Sequence, residues 1–483
     1  MAFSATGCSA HLSPVVAKTD LPQAPEAWEY LSEYDVSSHG MSPADAEMLA
    51  TWWRQLEDPV LDRLIEHTLA GNLDLQSAAA RVAEARARRG LSQSDLGPRV
   101  SFGLDGRESE PLGDGLSSSL YSASLSASWE ADLFGAKSWA LAASEADLAA
   151  TVEQQNAARV SLVAEVVVAY SDLRVAEARL AVLDESIATR EQTYQLTEFR
   201  EIAGLTSRLE VDQALTSLEQ TRAGRWSLEQ GLVNARLRLE LLAGELPGSF
   251  DELLSPVADE ASRGVPTPPE GLAVGLPAEA LERRPDLRAA FDQLDASLAR
   301  LGVAEAARYP TLRLSGSIDS QGSDFADLFD ADAFLANLLA GLTAPIFESG
   351  RIEQNILVEQ ARVEQQALAT RDLMLEALFE VERALSSLRS VGEQITALVG
   401  AIEAAQDTAD LADERYRAGL VDLLVVLDSQ RTLLSLQEQQ VAALGERAVA
   451  FSNLYRALGG GWEANSSDAS SWEAKSGQGE SNA

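Results

Sequence analysis

The sequence predicts a mainly α-helical chain that also carries four strands of a membrane β-barrel, too few for one copy to close. Three observations predict it: an internal tandem repeat, a helical seam sustained through both repeats, and strands whose apolar and polar residues alternate between two faces. The repeat organises the rest. Asn72-Leu-Asp-Leu75 matches Arg284-Pro-Asp-Leu287, and Pro98 matches Pro310, both at an offset of 212 residues. Leu133-Phe-Gly135 matches Ile346-Phe-Glu348 at 213, and Gly204 matches Gly419 at 215. So small a drift over half the chain points to duplication.

The helical signal lies between these markers. From Gly135 to Gly204 there is no intervening Gly or Pro, and Leu162, Val166, Ala169, Leu173, Ala176, Leu180, Leu183 and Ile187 recur at alternating spacings of four and three. That is a coiled-coil seam. Shifting each position by 215 gives Ala377, Val381, Ala384, Leu388, Val391, Ile395, Leu398 and Ile402, all apolar. The run from Ala136 to Ala203 holds 68 residues, which at about 1.5 Å each would extend roughly 100 Å, far longer than a compact domain needs. Shorter helical stretches flank it, about Asn72 to Leu96 and Leu205 to Ala243. The second repeat offers about Pro285 to Ala307, Arg351 to Ala418 and Leu420 to Leu458. Two short helices end to end thus match one long antiparallel partner, twice per chain.

Between the short and long helices the period changes to two. Tyr121, Ala123, Leu125, Ala127, Trp129, Ala131 and Leu133 alternate with Ser122, Ser124, Ser126, Ser128, Glu130 and Asp132. Val100, Phe102 and Leu104 alternate with polar residues or glycine, as do Leu312, Leu314 and Ile318; a fourth candidate, about Phe334 to Phe347, alternates less cleanly. A half-buried hairpin packed on a helix is the plain alternative. The flanking helices, however, spend their apolar residues on their own seam and offer no broad face to cover a sheet. Strands of about ten residues with an apolar exterior suit a lipid-facing barrel, but the smallest such barrels use about eight strands and open edges are not tolerated in hydrocarbon. The chain must oligomerise, and three copies would supply twelve strands and twelve helical columns.

Composition excludes several functions. The 483 residues include 75 acidic against 38 basic side chains, a formal net charge of −37, which argues against nucleic acid as a partner. The single Cys8 excludes an intrachain disulfide and a cysteine-based metal site, and three histidines (His11, His39, His67) leave little for histidine chemistry. No stretch approaches the roughly 18 apolar residues of a membrane-spanning helix, and no P-loop is present. The abundant carboxylates fall at solvent-facing helical positions, so catalysis is not expected. Ala5-Thr6-Gly7-Cys8 resembles a lipoprotein cleavage site, although the basic start and most of the apolar core of such a signal are missing. An acyl anchor on Cys8 and an inert thiol on a frayed terminus both stay open. The acidic excess fits a saline habitat or a cation-favouring bore equally well.

Taken in order, the motifs resemble the outer-membrane factors of tripartite efflux and secretion systems, the TolC family, and within it the OprM/NodT-like lipoprotein branch. The residues that carry the resemblance are Trp52-Trp53 before Asp58-Pro59, Asn72-Leu-Asp-Leu75, Trp129-Glu-Ala-Asp-Leu-Phe-Gly135 and Arg283-Arg-Pro-Asp-Leu287. They continue with Pro345-Ile-Phe347 and Gly350, Arg415-Tyr-Arg-Ala-Gly419, Leu427-Asp-Ser-Gln-Arg431 and Leu454-Tyr-Arg-Ala-Leu-Gly-Gly460. The resemblance implies a homotrimer: a twelve-stranded outer-membrane β-barrel, four strands per chain, continued by a twelve-helix periplasmic α-barrel, forming a passive exit duct. It implies a periplasmic adaptor (membrane fusion) protein and an RND-type inner-membrane pump as partners, outer-membrane lipid around the barrel, and no cofactor beyond a possible covalent lipid such as palmitate on Cys8. A soluble periplasmic coiled-coil adaptor or scaffold is the rival reading; it would share the helices and the acidity without needing the strands.

The resemblance also places function at the periplasmic tips. Leu424, Asp428 and Arg431 match the family's constriction: an apolar ring, an acidic ring and a basic residue that links helices. An exposed pair on one helix, worth a few tenths of a kcal/mol, is the plain alternative for Asp428 and Arg431. The first repeat has Leu209, Gln213 and Thr216 at the corresponding positions, so one tip hairpin alone carries the charges. The turns at Gly204 and Gly419 call for a tight or left-handed backbone, and with Thr206, Ser207, Val421 and Asp422 they are the expected adaptor contacts. The expected organisation is residues 1–8 as residual signal and anchor, 9–56 as an N-terminal extended equatorial segment, and 57–243 as the first repeat with strands at about 98–108 and 119–133. An equatorial linker follows at 244–276, then the second repeat at 277–458 with strands at about 309–320 and 333–347. Residues 459–483 form an equatorial and then disordered tail, Ser466 onward being poor in hydrophobic residues.

Overall fold

The computed structural model describes residues 25, 27–29, 48–110, 118–254, 264–269 and 277–462. Cys8, most of the 9–56 segment and the tail beyond Trp462 lie outside the described residues. The chain divides into two compact units, each built from separate stretches of sequence.

The first unit gathers Ala79–Glu153 and Arg288–Asp372 and holds all four strands: β1 (Arg99–Ser109), β2 (Ser118–Ala131), β3 (Thr311–Gly322) and β4 (Phe334–Thr343). They form one antiparallel sheet in the order β1-β2-β3-β4, each pairing with its sequence neighbour. Register joins the alternation of each strand into two continuous faces. Phe102, Leu125, Ile318 and Ala336 form one row of the apolar face, and Val100, Ala127, Gly316 and Leu338 the next. On the opposite face Ser101, Ser126, Ser317 and Asn337 line up, with Ser101 and Ser126 hydroxyls 2.8 Å apart and Asn337 Nδ2 donating to Asp319 at 3.2 Å. The apolar face is bare: Val100, Phe102, Leu104, Leu125, Trp129, Ile318 and Leu338 are exposed in the single chain. Nothing among the described residues pairs with the outer edges of β1 and β4. β4 stops at Thr343, short of the expected Phe347, because Pro345 has no N–H to give the ladder. At the strand ends Trp129 Nε1 donates to the Leu96 carbonyl at 2.8 Å and Phe134 stacks on Tyr309 at 4.8 Å, the aromatic placement of a membrane interface.

The second unit gathers Pro22–Ala78, Gln154–Leu287 and Leu373–Ala483. In chain order the helices of the two units together are α1 (Pro59–Gly71), α2 (Leu73–Ser94), α3 (Ala136–Ile202), α4 (Arg208–Ala243), α5 (Pro277–Arg283), α6 (Pro285–Ala306), α7 (Arg351–Arg417) and α8 (Leu423–Ala457), most of α2 and α6 and the starts of α3 and α7 belonging to the first unit. All sixteen seam positions on α3 and α7 are buried or half-buried. The core gathers Val163, Val167, Tyr170 and Leu173 of α3, Val381 and Leu385 of α7, and Phe451 and Tyr455 of α8, with Trp52 stacked on Tyr455 at 5.4 Å. α1 was not anticipated from sequence, although Asp58-Pro59 is a helix start: Asp58 Oδ1 accepts from the Val60 and Leu61 N–H groups at 2.9 and 3.2 Å, and Pro59 occupies the first turn. The other carboxylate oxygen of Asp58 accepts from Tyr170 Oη at 2.5 Å, and the Tyr170 hydroxyl oxygen in turn accepts from Arg174 Nε and Nη2 at 2.9 and 2.7 Å. Burial first, and then the Asp58 charge, push the Tyr170 hydroxyl well above the ordinary phenol range.

Two junctions explain the Asn72 and Arg284 motifs. Asn72 Nδ2 donates to the Leu242 carbonyl at 2.7 Å, and its Oδ1 accepts from the Leu75 N–H at 2.8 Å. One side chain thereby caps the start of α2 and ties it to the last turn of α4. In the second repeat Arg284 Nη1 donates to the Ala457 carbonyl at 3.1 Å, in the last turn of α8. Leu242 and Ala457 are equivalent at the offset of 215. The same contact is made twice, by an amide in one repeat and a guanidinium in the other.

Candidate functional site

The tips are built from two matching turns. At the end of α3 the Gly204 N–H bonds the Glu201 carbonyl and the Leu205 N–H the Arg200 carbonyl, both at 2.8 Å; at the end of α7 Gly419 bonds Tyr416 at 2.9 Å and Leu420 bonds Arg415 at 2.8 Å. Both are Schellman closures, with φ of +74° at Gly204 and +73° at Gly419. A side chain at either position would meet left-handed strain of about 1 to 2 kcal/mol. Gly419→Val is therefore expected to open this turn, seen as faster amide exchange at Leu420 with exchange at Gly204 unchanged.

The next helices start later than the sequence suggested, at Arg208 and Leu423. Residues 205–207 and 420–422 are used by the turn and by the caps Ser207 and Asp422, neither of which makes a side-chain capping bond. Gly204, Ser207, Gly419 and Asp422 are exposed; Thr206 and Val421 are half-buried, and Val421 packs against a small core of Ala214, Ala412, Tyr416, Leu423 and Val426. Sequence reasoning missed the fastening of the two hairpins to each other. Arg200 donates to the Tyr416 carbonyl at 2.5 Å and lies over the Tyr416 ring at 4.6 Å, while Tyr416 Oη donates to Glu210 at 3.2 Å. Tyr416 is only 2% exposed. Burial, joined by the Glu210 charge, raises its hydroxyl pKa. Exposed Ile202, Leu205, Leu420 and Val425 were missed as well, though their apolar character beside a glycine turn was a readable signal.

Leu424, Asp428 and Arg431, the residues expected at a constriction, lie together at the start of α8. Leu424 is exposed, and one turn on Arg431 Nη2 meets Asp428 Oδ1 at 2.5 Å, the two side chains being 76% and 65% exposed. Between them Val426, Ser429 and Gln430 are buried, so α8 turns its charged stripe outward and its other face into the unit. Behind Arg431 stands Arg190 of α3, buried, with hydroxyl partners Ser186 and Ser217. Burial first, and then the Arg431 charge, draw the Arg190 pKa below its ordinary value. Arg431 thus has a cation behind it and a carboxylate on its own helix. At the first-repeat positions Gln213 and Thr216 form no ion pair, and Thr216 bonds its own helix at Asp212.

A bare apolar sheet face with open edges, together with paired helical hairpins, defines a protomer of an oligomeric membrane channel. The comparisons agree. The family model described as "Outer membrane efflux protein" matches the chain twice, at residues 64–245 and 276–460. The cation efflux system protein CusC of Escherichia coli is 30% identical over 465 residues, spanning 96% of this chain and 98% of its own. The pyoverdine export outer membrane protein OpmQ of Pseudomonas putida is 33% identical over 426 residues, spanning 86% of this chain and 89% of its own. The solved outer-membrane channel OprN superposes with a TM-score of 0.81 at 30% identity, covering 92% of this chain and 99% of that one.

The chain belongs to the outer membrane efflux protein family. It is a passive outer-membrane channel of the tripartite efflux type, with a periplasmic extension, and not an enzyme. Its fold is the TolC-like one, mainly α, with four strands per chain of the trimer's twelve-stranded barrel and helices of its periplasmic α-barrel. The soluble adaptor reading is not supported; it leaves the apolar-faced sheet without a purpose. The double match of one family model is the tandem repeat seen in the sequence.

Proposed function

We propose that the start of α8 is the resting gate of this duct, with Leu424, Asp428 and Arg431 contributed by each of three copies. The observation that carries the reading is the exposed Asp428–Arg431 pair, backed by buried Arg190 and lacking a charged counterpart in the first repeat. Three Asp428 carboxylates converging on one axis repel one another unless Arg431 or a cation neutralises them. Closure then depends on ion pairs that a competing partner can loosen. Asp428→Ala combined with Arg431→Ser is expected to raise resting conductance severalfold in planar bilayers, and to flatten its dependence on salt. Unchanged currents would remove the assignment.

We infer further that the tips meet a periplasmic adaptor through Gly204, Thr206, Ser207, Gly419, Val421 and Asp422, widened by exposed Leu205 and Leu420. An RND-type inner-membrane pump supplies the energy, and Cys8 carries the lipid anchor. The named relatives export cargo as different as cations and pyoverdine, so selection belongs to adaptor and pump and the duct passes what they deliver.

A further inference from the structure

The connection between β3 and β4, residues 323–333, folds back onto one face of its own sheet, and that face is the apolar one. Ser320 pairs with Ala123 and Gly322 with Tyr121, so both belong to the face of Leu125, Ala127 and Ile318. Three contacts put the connection there. A methyl group on Gly322 would stand 2.3 Å from Asp327 Cβ, so the chain crosses directly over that glycine. Ser320 Oγ donates to the Leu328 carbonyl at 2.9 Å, and the Phe325 ring meets the Tyr121 ring edge-on at 6.0 Å. Ser320 and Leu328 are buried by this contact. A connection at the outer end of a channel can turn over the bore or over the lipid; this one turns toward the lipid.

The level at which it lies follows from β2. Tyr121 and Trp129 are eight residues apart. That is about 27 Å along the strand and roughly 20 Å along the membrane normal at a tilt of about 40°, close to the height of a barrel's apolar band. Trp129 marks the helix-bearing end of that band and Tyr121 the other, so Phe325 sits at the outer boundary of the hydrocarbon. The connection also hides the Ser320 hydroxyl, which would otherwise stand unbonded on a lipid-facing surface. Its own outward side is apolar: Phe325 and Phe329 are 53% and 73% exposed, in edge-to-face contact at 5.9 Å. Phe334, in the row of Leu104, Ala123 and Ser320, is exposed beside them. Asp324, Asp327, Asp330 and Asp332 set the opposite limit, because carboxylates do not enter the hydrocarbon centre. Asp327 Oδ2 finds its donors within the connection, the Asp324 N–H at 3.0 Å and Ser323 Oγ at 3.4 Å.

We propose that residues 323–333 are a membrane-docking element. Phe325 and Phe329 enter the boundary between acyl chains and headgroups around the outer end of the barrel, extending the lipid-facing surface with a segment that belongs to no strand. The occupant is lipid and not a second copy. The connection leans back over β2 and β3, away from the open edges of β1 and β4 at which copies must join. The inference goes beyond the gate reading and does not depend on it.

Site-directed spin labelling tests it. Phe329→Cys and, separately, Phe325→Cys carry a nitroxide in the full-length Cys8→Ser trimer, reconstituted into phosphatidylcholine vesicles. Power saturation then compares access by oxygen, which concentrates in lipid, with access by a neutral nickel chelate, which stays in water. Oxygen is expected to exceed the chelate severalfold at both positions, as at Leu338→Cys on the apolar face, and in contrast to Ser126→Cys on the polar face. Both rings are exposed, so the labels leave the packing intact, and either position alone suffices should the other impair assembly. Preferential access by the chelate would place the connection in water. Low access by both reagents would place it under protein, either residues 111–117 of the same chain or a neighbouring copy. Each of those results overturns the proposal.

Discussion

Arg284→Ala is expected to cost each protomer about 3 kcal/mol, several times what any exposed ion pair on the helices contributes. The Arg284 side chain is 9% exposed and serves four acceptors: both oxygens of Asp286 at 3.0 and 2.7 Å, Glu380 at 2.7 Å and the Ala457 carbonyl at 3.1 Å. Burial opposes its charge, yet the hydrogen bonds and charges of Asp286 and Glu380 outweigh burial and hold the guanidinium pKa above its ordinary value. Removing it leaves two half-buried carboxylates close together and the end of α8 without its donor. Arg284→Met restores the bulk but none of the hydrogen bonds, and should recover only the smaller, packing part of the loss. Asn72→Ala, at the equivalent junction, removes neutral bonds and should cost about 1 to 1.5 kcal/mol. Arg88→Ala, which breaks an exposed pair with Glu84, should be nearly silent. Because unfolding of a membrane trimer is often irreversible, the comparison is best made as the rate at which heated, detergent-purified trimer is lost. An Arg284→Ala trimer as durable as wild type would remove the junction as a source of stability.

The parts of this fold that were legible in sequence are those where one period runs long enough to outweigh local exceptions. The seam from Leu162 to Ile187 and its copy from Ala377 to Ile402 could be read because every position obeys the spacing. β2 could be read because serine and apolar residues alternate without a break. Long-range partners left no such trace. Nothing near Asn72 announces Leu242, and Arg284 looks like any charged residue before a proline until α8 is folded back against it. Asp58 had a readable role at the start of α1, but its second role, accepting the Tyr170 hydroxyl, spans 112 residues. At the tip, Asp428 and Arg431 were visible as a pair three residues apart, whereas buried Arg190 and the Arg200–Tyr416 clasp belong to other helices and emerge only from packing. The fourth strand shows the limit most clearly. Phe334-Leu-Ala-Asn-Leu-Leu-Ala-Gly-Leu342 does not alternate, so its sequence alone cannot say which side faces out.

Register supplies that answer, and with it a prediction in which adjacent residues behave oppositely. Leu338 pairs with Gly316 and lies in the row of Val100 and Ala127, whereas Leu339 pairs with Ser315 and lies in the row of Arg99 and Ser128. Leu338 is 89% exposed in the single chain, near the middle of β4, where the barrel's apolar face meets hydrocarbon. Leu338→Arg places a charge there and should cost about 2 to 4 kcal/mol per protomer, enough to deplete assembled trimer from the outer membrane. Leu339→Arg points the same side chain among serines and an arginine, where water reaches it, and should leave trimer yield close to wild type while altering ion selectivity. The quantity to measure is heat-modifiable trimer in outer-membrane fractions, for both variants expressed at equal level. Since one step along a strand reverses its facing, equal damage from the two would mean that β4 is not seated in the register that joins it to β3, whereas opposite outcomes require it.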